Sequence, residues 1–339
     1  MNTFFNTIRK TNIYLQIIIL ACAVLIVWSC NKDKIIDNPS NTISKIPTSG
    51  IVYIYDGCVW AMNTDGSNKT KLTSDNGFLY SISSSSNGSK FIFYQKFVGL
   101  VLLDENGEKV INASNSDDFA AITWSRNDKL YFSKILRNSN DNSAIGIYIF
   151  SMNDDGSEIT QITPYYTSPD LITDHDPEDD EPSLSPDNSS LLFTTQRSGN
   201  AGVLAKMNLL TGSISFLTYA GGLNTSHTMG LYAVSNPSFS PDGLQIVIDG
   251  YIDNTLPTAE QDRSQIFIMN ADGSSQYSLT HKTTENCHFP SWSPDGKYIV
   301  YENDSIGFTE PKICIMNADG SNEKILAYGS NPCFIGQPR

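Results

Sequence analysis

Beyond residue 50 the chain alternates short apolar runs with clusters of turn residues. The clearest stretch is 290–321. It reads P-S-W-S-P-D-G-K-Y-I-V-Y and then, after a gap, I-C-I-M-N-A-D-G-S. The runs 298–301 and 313–316 are brief and rich in β-branched or aromatic residues, which predicts strands. Two turn signals flank them, one before the first run and one after the second. In Ser293-Pro294-Asp295-Gly296 the proline presets φ, the Asp bonds its own backbone and Gly closes the turn. In Asn317-Ala318-Asp319-Gly320 the Gly accepts the positive φ of a tight hairpin. The stretch predicts a small antiparallel meander.

The same unit recurs along the chain. Asn236-Pro237-Ser238-Phe239-Ser240-Pro241-Asp242-Gly243 opens a copy whose hairpin is Met269-Asn270-Ala271-Asp272-Gly273 and whose end is Leu279-Thr280. Another runs from Glu181-Pro182-Ser183-Leu184-Ser185-Pro186-Asp187 to Leu217-Thr218. An earlier one runs from Ile122-Thr123-Trp124-Ser125 to Ile162-Thr163, and residues 85–107 form a degenerate copy. The first copy, residues 51–73, lacks its opening. Asn331-Pro332-Cys333-Phe334 at the other end supplies a matching piece. Repeats of about 40–60 residues with four strands each predict a β-propeller. The fold expected is all-β: six four-stranded antiparallel blades, with a ring closed by strands from both termini. Trp124, Phe239, Trp292 and Phe334 are expected to pack between neighbouring blades.

The unit P-S-W-S-P-D-G-x-x-I-V-Y … M-N-A-D-G-S-x-x-x-x-L-T resembles the repeat of the TolB-type propellers, over residues 51 to 336. Residues 31–49 are too short for the α/β domain that precedes the propeller in that family. The resemblance therefore implies a propeller standing alone, and a role in the Tol–Pal system does not transfer with it.

Composition sharpens this picture in one respect. The chain of 339 residues carries a net charge of -14. Such an acidic surface repels phosphate backbones and excludes nucleic acid as a partner. Calcium, cationic ligands and basic protein surfaces remain compatible.

The first 30 residues read as a leader. Arg9 and Lys10 precede an apolar run from Ile13 to Trp28. It ends at Val27-Trp28-Ser29-Cys30, which resembles the bacterial lipoprotein box apart from the bulky Trp28. The domains expected are a signal peptide over 1–29, a lipidated Cys30 with a polar tether over 30–49, and a propeller over 50–339. An uncleaved signal anchor is the alternative, since the run is nearly long enough to span a bilayer. Asn31 after the cysteine favours outer-membrane sorting, on either face.

Candidate chemistry is sparse. The recurrent Asp-Gly turns lack the spaced oxygens and final Glu of an EF-hand and read as hairpins. The run Asp174-His175-Asp176-Pro177-Glu178-Asp179-Asp180-Glu181 differs, being the densest acidic segment. Its Asp174, Asp176, Asp179 and Asp180 offer hard oxygens suited to Ca²⁺, and His175 adds a nitrogen suited to a transition metal. A solvated acidic loop is the plainer reading. In TolB-type repeats this loop lies at the mouth of the central channel. Glu181 and its equivalents Ser81, Ala121, Asn236, Phe289 and Asn331, with His288 alongside, are therefore expected to ring that mouth. His281 reads as an exposed loop residue. His175, His227 and His288 resemble in number the metal-binding histidines of pectin-fragment lyases with a similar propeller, but no paired H-x-H spacing occurs. No G-x-S-x-G elbow, P-loop or dinucleotide fingerprint occurs either. Cys58, Cys287, Cys314 and Cys333 are expected as free thiols, because Cys58 and Cys333 fall two strands apart.

The function expected is non-catalytic: a monomeric envelope lipoprotein binding a protein, peptide or glycan at the channel mouth, with Ca²⁺ as the candidate cofactor. The competing class is a metal-dependent lyase of carbohydrate acids.

Overall fold

The computed structural model describes residues 47–74, 77–113, 119–165, 178–197, 202–218, 231–252, 263–305 and 310–336. These form six four-stranded antiparallel sheets arranged in a ring. Blade 1 pairs Ser330–Phe334 with Ile51–Tyr55, then Cys58–Met62 and Thr70–Lys71. One sheet thus holds strands from both ends of the described chain, with Val52 opposite Cys333. Blades 2 to 6 begin on the inner strands Leu79–Ser84, Phe119–Trp124, Asp179–Leu184, Leu231–Phe239 and Glu285–Trp292. Each inner strand touches the inner strand of the next blade, and that of blade 6 touches that of blade 1.

The second strand of each blade explains why the repeat reads I-V-Y without alternation. Side chains alternate faces along a strand, and here both faces are buried. Ile299 and Tyr301 pack into the seam with blade 5, while Val300 between them packs into the seam with blade 1. Ile246 and Ile248 face blade 4, and Val247 faces blade 6. Six apolar clusters result, each shared by two consecutive blades. Trp124, Phe239, Trp292 and Phe334 each sit in one of these seams, as the repeat predicts.

The polar letters of the repeat also have structural tasks. In the first turn Ser293 Oγ donates to Asp295 Oδ1 at 2.7 Å and accepts from the Tyr298 amide at 2.9 Å. In the second, Asp319 Oδ1 accepts the amide and hydroxyl of Ser321 at 2.9 and 2.6 Å. The same bonds recur at Asp65, Asp155 and Asp272. Hydrogen bonds from Ser321 and Ser274 hold the Asp319 and Asp272 carboxyls below their ordinary pKa. Gly273 has φ +86°, and a Cβ there would lie 3.0 Å from the Leu217 carbonyl of the preceding blade. Glycine is therefore needed for both turn geometry and seam contact. The closing Leu-Thr is equally local: Thr280 Oγ1 accepts the Ile266 amide at 2.9 Å, and Thr73, Thr163 and Thr218 repeat the bond.

The four described cysteines are free thiols. Cys58 and Cys333 occupy the third and first strands of blade 1, with Ile51–Tyr55 between them. Burial pushes Cys287, Cys314 and Cys333 up to about 12, so these thiols are poor nucleophiles.

The seams are where the ring is most vulnerable. Trp124→Ala empties a site that is 1% exposed between blades 2 and 3. Its expected cost is about 3–5 kcal/mol, read as a fall in the midpoint of chemical denaturation at unchanged slope.

Candidate functional site

The inner strands enclose a central cavity of about 580 Å³. At its mouth every inner strand breaks register with its neighbour. The shifts fall at Tyr80/Ile82, Phe119/Ile122, Asp180/Ser183, Ser235/Ser238 and His288/Ser291, and opposite Val52/Ile54 in blade 1. Each marks a β-bulge. The bulged residues are the predicted mouth set. Ser81, Glu181, Asn236, Phe289 and Asn331 adopt φ between 47° and 56°, and Ala121 lies in the corresponding shift of blade 3. All six line the cavity.

A left-handed conformation at a non-glycine residue costs of order 1–3 kcal/mol and persists only when its surroundings hold it. Here neighbouring side chains supply acceptors. Glu181 Oε2 accepts the Asn236 amide at 2.8 Å and the Thr194 hydroxyl at 3.2 Å. Asp249 Oδ1 accepts the Phe289 amide at 3.2 Å and Asn236 Nδ2 at 2.8 Å. Glu302 Oε2 accepts the Asn331 amide at 3.0 Å. In four blades the next residue is proline, namely Pro182, Pro237, Pro290 and Pro332, all on the cavity wall. Proline brings no N–H, so the wall carries no donor there that would need a partner. Blade 3 has Ile122 instead, and its amide donates to Ser81 Oγ at 3.0 Å.

Asp249 and Glu302 belong to this site although the mouth motif did not reveal them. They lie on the second strands, immediately after Ile246-Val247-Ile248 and Ile299-Val300-Tyr301. The equivalent residues elsewhere are Ile54, Tyr94, Ser133 and Thr194. Aligning that position across the repeats would have exposed a carboxylate directly after the apolar triplet of the second strand.

The acidic residues gather in blades 4 to 6. Asp180 Oδ1 accepts the Glu181 amide at 2.7 Å and a short bond from the Ser133 hydroxyl. Burial raises the Asp180 carboxyl above its ordinary pKa. Burial, with the charges of Asp180 and Asp249, pushes Glu181 up to about 8. Burial likewise pushes Glu302 up to about 7. His288 Nδ1 lies 3.2 Å from Asp249 Oδ2. Burial alone would lower this imidazole. The Asp249 bond and the charges of Asp249, Asp304 and Glu302 outweigh that and raise it.

Asp179, proposed from the sequence as an oxygen ligand, faces another partner. Its carboxylate takes Arg197 through Nε at 2.7 Å and Nη2 at 2.5 Å, and the Thr195 hydroxyl at 2.7 Å. Both residues of this pair are buried. Asp174, His175, Asp176, His227 and Cys30 lie outside the described residues. Among the described residues no group of three or more His, Cys, Asp or Glu side chains is placed to hold a metal ion. His281 is exposed, as expected of a loop residue.

At the opposite end of the cavity Arg126 replaces the proline of the first turn. Its amide reaches Asn188 Oδ1 at 3.3 Å and its Nη2 reaches the Pro241 carbonyl at 3.4 Å. The side chain therefore spans from blade 3 to blade 5 across the turn end.

Two outcomes follow from the buried charges. Glu181 binds a proton more tightly folded, at about 8, than its ordinary value of 4.5. The folded state thus holds the extra proton, and stability falls as pH rises through that window. Glu181→Gln should flatten this decline in denaturation curves taken between pH 5 and 8. Arg197→Met leaves the buried Asp179 unpaired and should cost about 3–5 kcal/mol, most of it recovered when Asp179→Asn is added.

A scan against protein-family models gives no match, and a search of the curated proteins gives none either. Solved structures do match. TolB from Acinetobacter baumannii is 17% identical with a TM-score of 0.63, over 87% of this chain and 68% of that one. A second TolB-named structure, from Agrobacterium tumefaciens, is 16% identical with a TM-score of 0.57, over 84% and 91%. A chain of a nidogen/laminin complex is 9% identical with a TM-score of 0.60, over 86% and 100%. At these identities the likeness is one of fold, and it agrees with the six blades and their repeat: the chain carries a six-bladed β-propeller of the TolB type.

Proposed function

We propose that this protein is a non-catalytic lipoprotein of the bacterial cell envelope whose propeller binds a protein, peptide or glycan partner at the channel mouth. The observation that carries this reading is the mouth itself. It opens a cavity of about 580 Å³, inside the range of roughly 300–1,000 Å³ common for ligand sites. Its walls are held by bulges whose strain is met by side-chain acceptors, so the cavity is preformed. The nidogen/laminin structure supports the reading in kind, being a propeller of similar fold solved in a complex of two proteins.

The lyase reading fits the mouth less well. Asp180, Glu181, Asp249 and Glu302 are acids, so this side of the mouth offers a polyanionic carbohydrate acid no cationic partner.

Two measurements test the proposal. Capture from envelope extracts with the full-length lipidated protein should recover a partner, and a Glu181→Gln, Asn236→Ala double variant should lose it. Capture unaffected by that variant would move the site elsewhere, whereas manganese-dependent cleavage of oligogalacturonides would replace binding by catalysis. For the anchor, Cys30→Ala should abolish incorporation of a labelled fatty acid and shift the protein from the membrane to the soluble fraction.

A further inference from the structure

The channel mouth is chemically two-sided. Blades 4 to 6 contribute Asp180 and Glu181 to the cavity wall, backed by Asp249 and Glu302. His288 beside them is held by Asp249, and the cations on the cavity wall, Lys96 and Arg126, come from blades 2 and 3. Blades 2 and 3 contribute aromatic rings instead. Tyr80 and Tyr94 stack with centroids 6.0 Å apart, and the ladder continues through Phe119 and Phe132. Tyr80, Tyr94 and Phe119 line the cavity. Tyr80 is 43% exposed, and Phe78 and Phe97 beside it are 66% and 61% exposed. The Phe78 carbonyl accepts the Lys96 amide at 3.0 Å, which ties these two rings to one corner of the rim. Their faces already attract cations: Lys96 Nζ lies 5.2 Å from the Phe97 centroid and Lys134 Nζ lies 5.7 Å from that of Phe119.

This asymmetry restricts what can enter. Pro182, Pro237, Pro290 and Pro332 leave the wall without donors at those positions, so an incoming strand finds no regular ladder to extend. Recognition must come from side chains. A neutral glycan would leave Asp180 and Glu181 without a cationic partner, and an acidic one would set further acids against them. A cation set against Asp180 and Glu181 takes the place of the proton that the folded state holds there, and a ring beside it extends the Tyr80 stack.

We propose that the mouth takes a peptide segment bearing a lysine or arginine and a nearby aromatic side chain, the cation set against Asp180 and Glu181 and the ring on Tyr80. This rests on the binding function proposed above and names the chemistry of its partner. The exposed ring of Tyr80 on the cavity wall is then covered when the partner is seated.

The test is selection of a random heptapeptide library on the intact, detergent-solubilised protein. Retained peptides should carry a Lys or Arg with Phe, Tyr or Trp within three positions. A synthetic consensus peptide should bind Glu181→Gln about tenfold more weakly and lose its salt dependence there. It should weaken by a similar factor on Tyr80→Ala, a rim substitution that leaves the buried core intact. Thermal midpoints no lower than that of the unsubstituted protein in both variants would assign the loss to the site. Retained peptides without a basic residue, or equal affinity for both variants, would overturn the proposal while leaving binding at the mouth in place. Failure to retain peptides alongside a positive glycan array would also overturn it and redirect the binding reading. Failure with peptides, glycans and envelope capture alike would remove both.

Discussion

The structure depends on one constraint: no blade has a face that water can cover. The second strands are apolar on both sides, so Val300 and its neighbours Ile299 and Tyr301 need two different partners. An isolated blade would expose one of these surfaces whichever way it was turned. Each seam buries the surplus of the blade before it, and a linear stack would leave two such surfaces open. Pairing Ser330–Phe334 with Ile51–Tyr55 places strands from opposite ends of the described chain in one sheet. Phe334 and Ile51 then pack together against Val300 and Ile315 of blade 6. Burial therefore couples blade 1 to both of its neighbours.

The same crowding accounts for the polar chemistry near the axis. Six inner strands converging on one channel leave backbone groups where no strand can pair with them. The chain answers in three ways. Proline deletes the donor at positions 182, 237, 290 and 332. A bulge turns the amide toward the neighbouring blade. A carboxylate or hydroxyl on that neighbour accepts it, as Asp249 does for Phe289 and Glu302 for Asn331. These acids are structural before they are anything else, since an unmet buried amide costs about 1–3 kcal/mol. Their charge comes as a by-product, and it accumulates where blades 4, 5 and 6 meet.

The architecture was legible in the sequence because its turns are chemically demanding. Ser-Pro-Asp-Gly and Asn-Ala-Asp-Gly each specify a backbone geometry, and the Leu-Thr end specifies a hydrogen bond. Repetition of all three at one spacing leaves few folds. The same register brought Ser81, Ala121, Glu181, Asn236, Phe289 and Asn331 together, and all six line the cavity. What the sequence concealed was the destination of individual carboxylates. Asp179 and Asp180 are adjacent in a run of acids, yet one is buried on Arg197 and the other bonds Ser133 beside the channel. A charge run has no periodicity that separates these fates, because they are decided by strand register and by the side chain waiting on the next blade. Asp249 and Glu302 were concealed for a different reason. Each follows an apolar triplet inside its strand, and a single copy does not show that this position faces the channel.

Where repeats agree, the residues make blades, and a ligand sees little of them. Difference is what breaks the sixfold equivalence of the mouth. At the position following the apolar triplet the six blades carry Ile54, Tyr94, Ser133, Thr194, Asp249 and Glu302, passing from apolar through hydroxyl to carboxylate around the ring. A graded series of this kind gives the channel a direction across its diameter, with aromatic rings at one end and acids at the other. A symmetric ring of the same residues would bind a ligand in several equivalent poses. Polarity across the mouth selects one orientation, because turning the ligand by half a circle would set its cation against Lys96 and Lys134, which already occupy the ring faces, and its apolar part against Glu181. Specificity in such a site resides in this mismatch penalty as much as in any single contact.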